Sequence, residues 1–203
     1  CAQRKRTNKI ISLEKANEKI CVEPSEIKVE ISNFYGTLYT SQGYRPMNEL
    51  LNCVTPQVTE LMNENLEKDY VAEEVKRALF DMALSKAPGV DGFTAGFYQR
   101  HWDILGSYVT HAVLEFLNGG ELPLGLNDTA ITLIPKVRNP QKISQYRLIA
   151  LCPVLYKIAV KAIANRVRVI LDEIIGEEQS AFVSGCLIMN NVLAAYQSVH
   201  AIR

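Results

Sequence analysis

The chain has 203 residues, 48% of them hydrophobic and 22% charged, with 22 basic side chains against 22 acidic ones. This is the make-up of a folded soluble chain rather than a disordered or fibrous one, long enough for one cored domain or a domain plus an extension. No window holds the roughly 18 uninterrupted apolar residues of a membrane span, and the basic start CAQRKRTNKI lacks the apolar core of a secretory signal.

The neutral total hides a segregation of charge. Residues 1–9 carry four basic side chains and no acid, and residues 10–128 carry nine basic against eighteen acidic. Residues 129–203 carry nine basic against four acidic, and within 129–168 there are eight basic side chains and no Asp or Glu. A basic block of this kind predicts a polyanion site on the C-terminal half of the chain. The five cysteines, Cys1, Cys21, Cys53, Cys152 and Cys186, are odd in number and scattered, which argues against a disulfide framework or a zinc knuckle. Cys152 lies in an apolar run and is expected to be a small buried hydrophobe. A reducing compartment, nucleus or cytoplasm, fits this cysteine usage. A first residue of Cys rather than Met predicts an N-terminus internal to a larger reading frame.

Residues 1–23 read as a connector, with a basic cluster at Arg4, Lys5 and Arg6 and alternating charge after it. Pro24-Ser25-Glu26 opens the first helix, since Pro suits the first turn and an acid suits the positive end of the helix dipole. Ile27, Ile31, Phe34, Tyr35 and Leu38 continue it at helical spacing. Residues 44–66 predict one or two short helices broken near Pro56. A helix is predicted over 71–84, ending at SKAPGVDGF, where two glycines and a proline impose a fixed turn. The GxxxxGK[ST] phosphate loop is absent, so the turn is read as a structural connection. One continuous helix is predicted over 94–117. Its His101 and His111 lie about 15 Å apart along the axis, too far to share a metal. Asn118-Gly119-Gly120 has the composition of a left-handed cap.

The basic block itself predicts a strand over 129–137, a polar connection over 138–142 and a second strand over 146–151, together a hairpin with a longer loop. Pro153 opens the next helix, whose apolar positions include Leu155, Ile158, Ala159, Ala162 and Ile170. Lys157, Lys161 and Arg168 form a basic stripe on another face. No carboxylate within the block can pair with them, which favours an anionic partner. Gly176 is the expected stop. Residues 177–185 read as a loop or short strand and 190–203 as a final helix. The expected fold is mostly helical α/β with one β-hairpin.

Five ordered segments of this sequence resemble the reverse transcriptase of non-LTR (LINE-type) retrotransposons, most like those of plants. They are Ser85-Lys86-Ala87-Pro88-Gly89-Val90-Asp91-Gly92-Phe93 with Phe97-Tyr98-Gln99 and Trp102, then ITLIPKV at 131–137, YRLIALC at 146–152, VLYKIAVKAIANR at 154–166, and QSAFVSG at 179–185 with Asn191. The resemblance covers residues 70–203, with residues 1–69 resembling more loosely the family's helical spacer between endonuclease and polymerase. It implies a right-hand polymerase, of which this chain holds the fingers and the start of the palm.

The family's chemistry is two-metal phosphoryl transfer, with palm aspartates holding Mg²⁺. Those aspartates follow the QSAF segment and belong to a later x-x-D-D pair, so the resemblance implies no catalytic residue and no metal ligand in residues 1–203. The fragment is expected to be inactive alone. It further implies that Lys136 and Arg147 grip the triphosphate of an incoming dNTP, as cations on a rigid hairpin can do, Arg bidentately. Gln179, Ser180 and Phe182 match a segment lying against the template, and Lys157, Lys161 and Arg168 are expected to track the RNA backbone. The partners implied are an RNA template, a DNA primer and dNTP. Three positions depart from the family's wording: Leu148 stands for Pro, Cys186 for Arg and Asn190 for Asp. Each change is reachable by one C→T or G→A transition, as in a decaying element. The alternative readings are a non-catalytic RNA-binding or scaffold protein made from the fragment, and a remnant without function.

Overall fold

The computed structural model describes residues 9–15, 19–43, 47, 52–53 and 55–176. Two small antiparallel sheets and six helices make up the described part, which is mostly helical. In chain order they are β1 (Leu13–Glu14), β2 (Ile20–Cys21), α1 (Pro24–Tyr39), α2 (Glu60–Glu67), α3 (Ala72–Phe80), α4 (Ala95–Arg100), α5 (Trp102–Leu117), β3 (Ala130–Pro135), β4 (Tyr146–Leu151) and α6 (Val154–Ile174). A single 3₁₀ turn at Ile143–Gln145 leads into β4. The expected mostly helical fold with a hairpin is therefore observed, and β4 has the bounds read from the sequence.

Two apolar cores hold it. The larger joins Val75 and Leu79 of α3, Val109 and Val113 of α5, and Val154 and Ile158 of α6, all buried. These positions recur at three and four along each helix, so each helix turns one apolar stripe to the others. The smaller core joins Leu13 and Cys21 of the first sheet, Ile27 of α1, and Ile143 and Tyr146 of the hairpin. It draws on residues far apart in sequence, from both the first forty positions and the basic block.

Four expectations are corrected here. Residues 10–23 are not simply a solvated connector: Leu13 and Cys21 are each only 1% exposed, and the Glu14 N–H donates to the Gln141 carbonyl at 2.8 Å. Leu13 and Cys21 sit beneath the hairpin because Ile143 and Tyr146 offer them an apolar surface that no local pattern reveals. The helix expected over 94–117 is broken at His101, whose φ of −107° and ψ of 25° leave the α-helical range. The break allows α4 and α5 each to contact α3 along its own direction. The helix expected over 71–84 stops at Phe80, and the Gln99 amide donates to the carbonyls of Leu79 and Met82 at 2.8 and 2.9 Å. Finally, Cys152 is half-buried beside the Thr129 hydroxyl at 3.4 Å, while Cys21 is the buried thiol and donates to the Leu13 carbonyl.

The predicted cap of α5 is present: Gly119 has φ of 99°, and the Gly120 N–H closes back on the Glu115 carbonyl at 2.8 Å. Asn118 beside it braces the start of α3, accepting from the Tyr70 N–H at 2.7 Å and donating to the Tyr70 carbonyl at 3.1 Å.

Candidate nucleic-acid interface

β3 and β4 pair from Ala130↔Leu151 to Pro135↔Tyr146. The Lys136 N–H donates to the Gln145 carbonyl at 2.8 Å, which makes that pair and every second one before it hydrogen-bonded. Strand alternation then sorts the hairpin into two faces. One carries Leu133 and Tyr146 and meets the smaller core. The other carries Thr132, Ile134, Arg147 and Ile149, all exposed, with Lys136 following in the same register. Leu148 faces Leu133 in a pair that is not hydrogen-bonded, so its N–H points away from β3. A proline at that position would remove no ladder bond.

Lys136 and Arg147, the residues expected to hold a triphosphate, are brought together. Both line one hollow of about 490 Å³ at the edge of the hairpin, which Tyr146 and Leu148 of the core-side face and Phe34, Tyr35 and Tyr39 of α1 also line. The Lys136 ammonium donates to the Ser144 carbonyl at 2.8 Å, which fixes its position and leaves two of its three N–H groups for another acceptor. The Arg147 side chain is exposed and makes no hydrogen bond or ion pair among the described residues. A second hollow around the hairpin tip is lined by Lys9, Lys136 and Arg138. No Asp or Glu lines either one.

The helix of the basic block is different. Lys157, Lys161 and Arg168 lie on one side of α6, as the spacing of four and seven predicts. Yet the Lys157 ammonium turns to the KAPG turn and donates to the Ala87 carbonyl at 2.7 Å. That turn is wedged against the start of α6. A Cβ on Gly89 would stand 2.6 Å from the backbone nitrogen of Pro153, so a side chain has no room there. Asp91 closes the turn by accepting from the Phe93 N–H at 3.2 Å. Lys161 is half-buried and Arg168 exposed.

Arg166, absent from the expected site, holds the largest polar network of the molecule's described part. It stands about half a turn around α6 from Lys157. Its Nε and one terminal nitrogen donate to the two carboxylate oxygens of Glu74, each at 2.7 Å, in a bidentate pair. Its remaining N–H groups donate to the carbonyls of Leu66, Lys68 and Asp69, and its guanidinium lies 3.5 Å from the centre of the Tyr70 ring. The hydrogen bond from Arg166, opposed in part by burial, holds the Glu74 carboxyl below the usual glutamate range, and the same pair raises Arg166. The partner lies 92 residues away, so no local charge pattern could have shown it. Burial likewise raises the Tyr35 and Tyr146 phenols, which stay neutral beside the hairpin.

Gln179, Ser180 and Phe182, the expected template contacts, lie outside the described residues, as do Cys186 and Asn190. Among the described residues no three His, Cys, Asp or Glu side chains gather in a metal-holding group, and no helix is long and apolar enough to cross a membrane. In the sequence, Phe34 and Tyr35 of α1 mark only a helical spacing, and Tyr39 carries no expectation. The signal for another role was present: the stretch ISNFYGTLY at 31–39 holds three aromatic rings and no acid.

The chain aligns over 183 residues, 89% of its length, with the transposon TX1 uncharacterized 149 kDa protein of Xenopus laevis, at 33% identity. It is related to a transposon protein. The chain spans 14% of the length of that relative. No protein-family model matches the chain.

Proposed function

We propose that this chain is the fingers and the start of the palm of the RNA-directed DNA polymerase of a non-LTR retrotransposon, with the hairpin of β3 and β4 as its triphosphate-binding element. The observation that carries this reading is the pairing of Lys136 and Arg147 on one open, acid-free face of a rigid hairpin, in a chain related to a transposon protein. A triphosphate needs two or more fixed cations that pay little ordering entropy on binding. The Lys136–Ser144 bond and the strand backbone supply that rigidity. The template is held by Gln179, Ser180 and Phe182, with Lys161 and Arg168 on its backbone. Lys157 acts there only with the ammonium protons that Ala87 does not use.

Two tests follow. Titration of the 203-residue chain with dTTP is expected to show saturable binding that inorganic triphosphate competes away. Arg147→Glu and Lys136→Glu are each expected to weaken it about tenfold, the loss of one charge-assisted contact. Binding that neither change affects overturns the hairpin's role. The polymerase assignment is tested by the sequence following Arg203, where a strand bearing the palm aspartate and then an x-x-D-D pair is expected.

A further inference from the structure

The hollow that holds Lys136 and Arg147 has a second wall, and its chemistry differs. The last two turns of α1 present Phe34, Tyr35 and Tyr39 toward the hairpin. Tyr35 and Tyr39 are stacked, with ring centres 6.1 Å apart and planes 15° from parallel, and Phe34 meets Tyr35 edge-on at 5.1 Å. Tyr35 is anchored in the smaller core, which fixes the ladder in place. Tyr39 is 67% exposed and Phe34 38% exposed. Three aromatic rings gathered beside two cations, with no carboxylate lining the hollow among the described residues, are poorly explained by packing alone.

We infer that the aromatic end of α1 and the cations of the hairpin form one platform for single-stranded nucleic acid, with bases stacked on Tyr39 and Phe34 and phosphates on Lys136 and Arg147. The proposal rests on the nucleic-acid reading of the hairpin and extends it to a helix outside the polymerase motifs. Flat rings accept any base on their π faces, and a basic edge alongside them takes the backbone. The helix dipole supports this division of labour. The C-terminal end of α1 carries a partial negative charge, which repels phosphate but not a neutral base. The anionic part of the ligand is thereby directed to the hairpin and the uncharged part to the helix. Residues 31–39 contain no acid that would oppose the strand, and the acids of α1, Glu26 and Glu30, lie in its first half.

The probe is a fluorescent oligouridine of about fifteen nucleotides, matched by an oligothymidine of the same length and by inorganic polyphosphate, titrated against the 203-residue chain across a salt series. Tyr39→Ala is expected to weaken oligouridine binding about tenfold without changing the slope of affinity against salt, because a stacking contact releases no counterions. Tyr39→Trp is expected to restore it. Arg147→Glu is expected to lower both affinity and slope. The proposal is overturned if Tyr39→Ala combined with Phe34→Ala binds both oligonucleotides like the parent, or if polyphosphate competes as well as oligouridine does per phosphate. Binding of dTTP reports separately on the hairpin. A Tyr39→Ala chain that loses oligonucleotide but keeps dTTP supports the platform. An Arg147→Glu chain that loses dTTP while the aromatic changes do nothing leaves the hairpin reading intact and removes the platform. Circular dichroism of each variant guards against misfolding, and Tyr39 and Phe34 are exposed enough that their loss opens no core.

Discussion

The two halves of the basic block carry the same sequence signal, yet Arg147 of the hairpin and Arg166 of α6 meet opposite fates. In the hairpin, Arg147 stands unpaired on an open face and Lys136 is only braced in position. In α6, Arg166 is consumed by Glu74, three backbone carbonyls and the Tyr70 ring, and Lys157 is tied to the KAPG turn. A run of cations without local acids therefore says that partners must come from elsewhere, but not whether elsewhere is another molecule or another part of the same chain. Geometry makes the distinction. A helix sandwiched in a core brings its cations to distant loops, while a two-stranded hairpin with one buried face turns the other outward.

The contrast can be broken most severely at Arg166. Arg166→Ala leaves Glu74 without its partner and three carbonyls short of a donor, and is expected to cost about 3 kcal/mol in urea unfolding. Arg166→Lys is expected to recover only part of it, since an ammonium cannot span the carboxylate and the carbonyls together. A variant as stable as the parent would mean that the network is incidental.

A smaller effect is expected from pH. The Glu74 carboxyl is held below its ordinary value of 4.5 in the folded chain. Its contribution is therefore complete above that ordinary value and is lost as the pH falls through the depressed one. Urea midpoints of the parent and of Glu74→Gln should differ at neutral pH and draw together on acidification. A gap that does not change with pH would show that the interaction is not ionic.

The smallest effect is expected on the other half of the block. Arg147→Glu should change stability by no more than about 0.5 kcal/mol, as surface substitutions do. Together with the loss of ligand binding above, that would separate a cation kept for a partner from one kept for the fold. A large destabilisation would erase the comparison.

Much of the fold was legible locally. Pro24 and the spacing after it mark α1, the β-branched residues around a polar turn mark the hairpin, and Pro153 marks the start of α6. The candidate site was legible in part. Lys136 and Arg147, named by the family resemblance, line one hollow, whereas Phe34 and Tyr35 beside them show in the sequence only a helical period shared with Ile27 and Ile31. Periodicity shows that side chains share a face but not what that face meets.

The sequence by itself determined that α1 and α6 coil and that β3 and β4 extend, because those choices depend on neighbours within a few residues. It also determined that the positive charge gathers in one block. Only the tertiary structure decided that Leu13 and Cys21 underlie the hairpin, that His101 breaks a helix, and that Arg166 spends its charge on Glu74. The physical reason is the same in each case. Burial and charge pairing depend on separation in space, and the separation of 92 positions between Glu74 and Arg166 carries no trace of the 2.7 Å at which the folded chain brings them together.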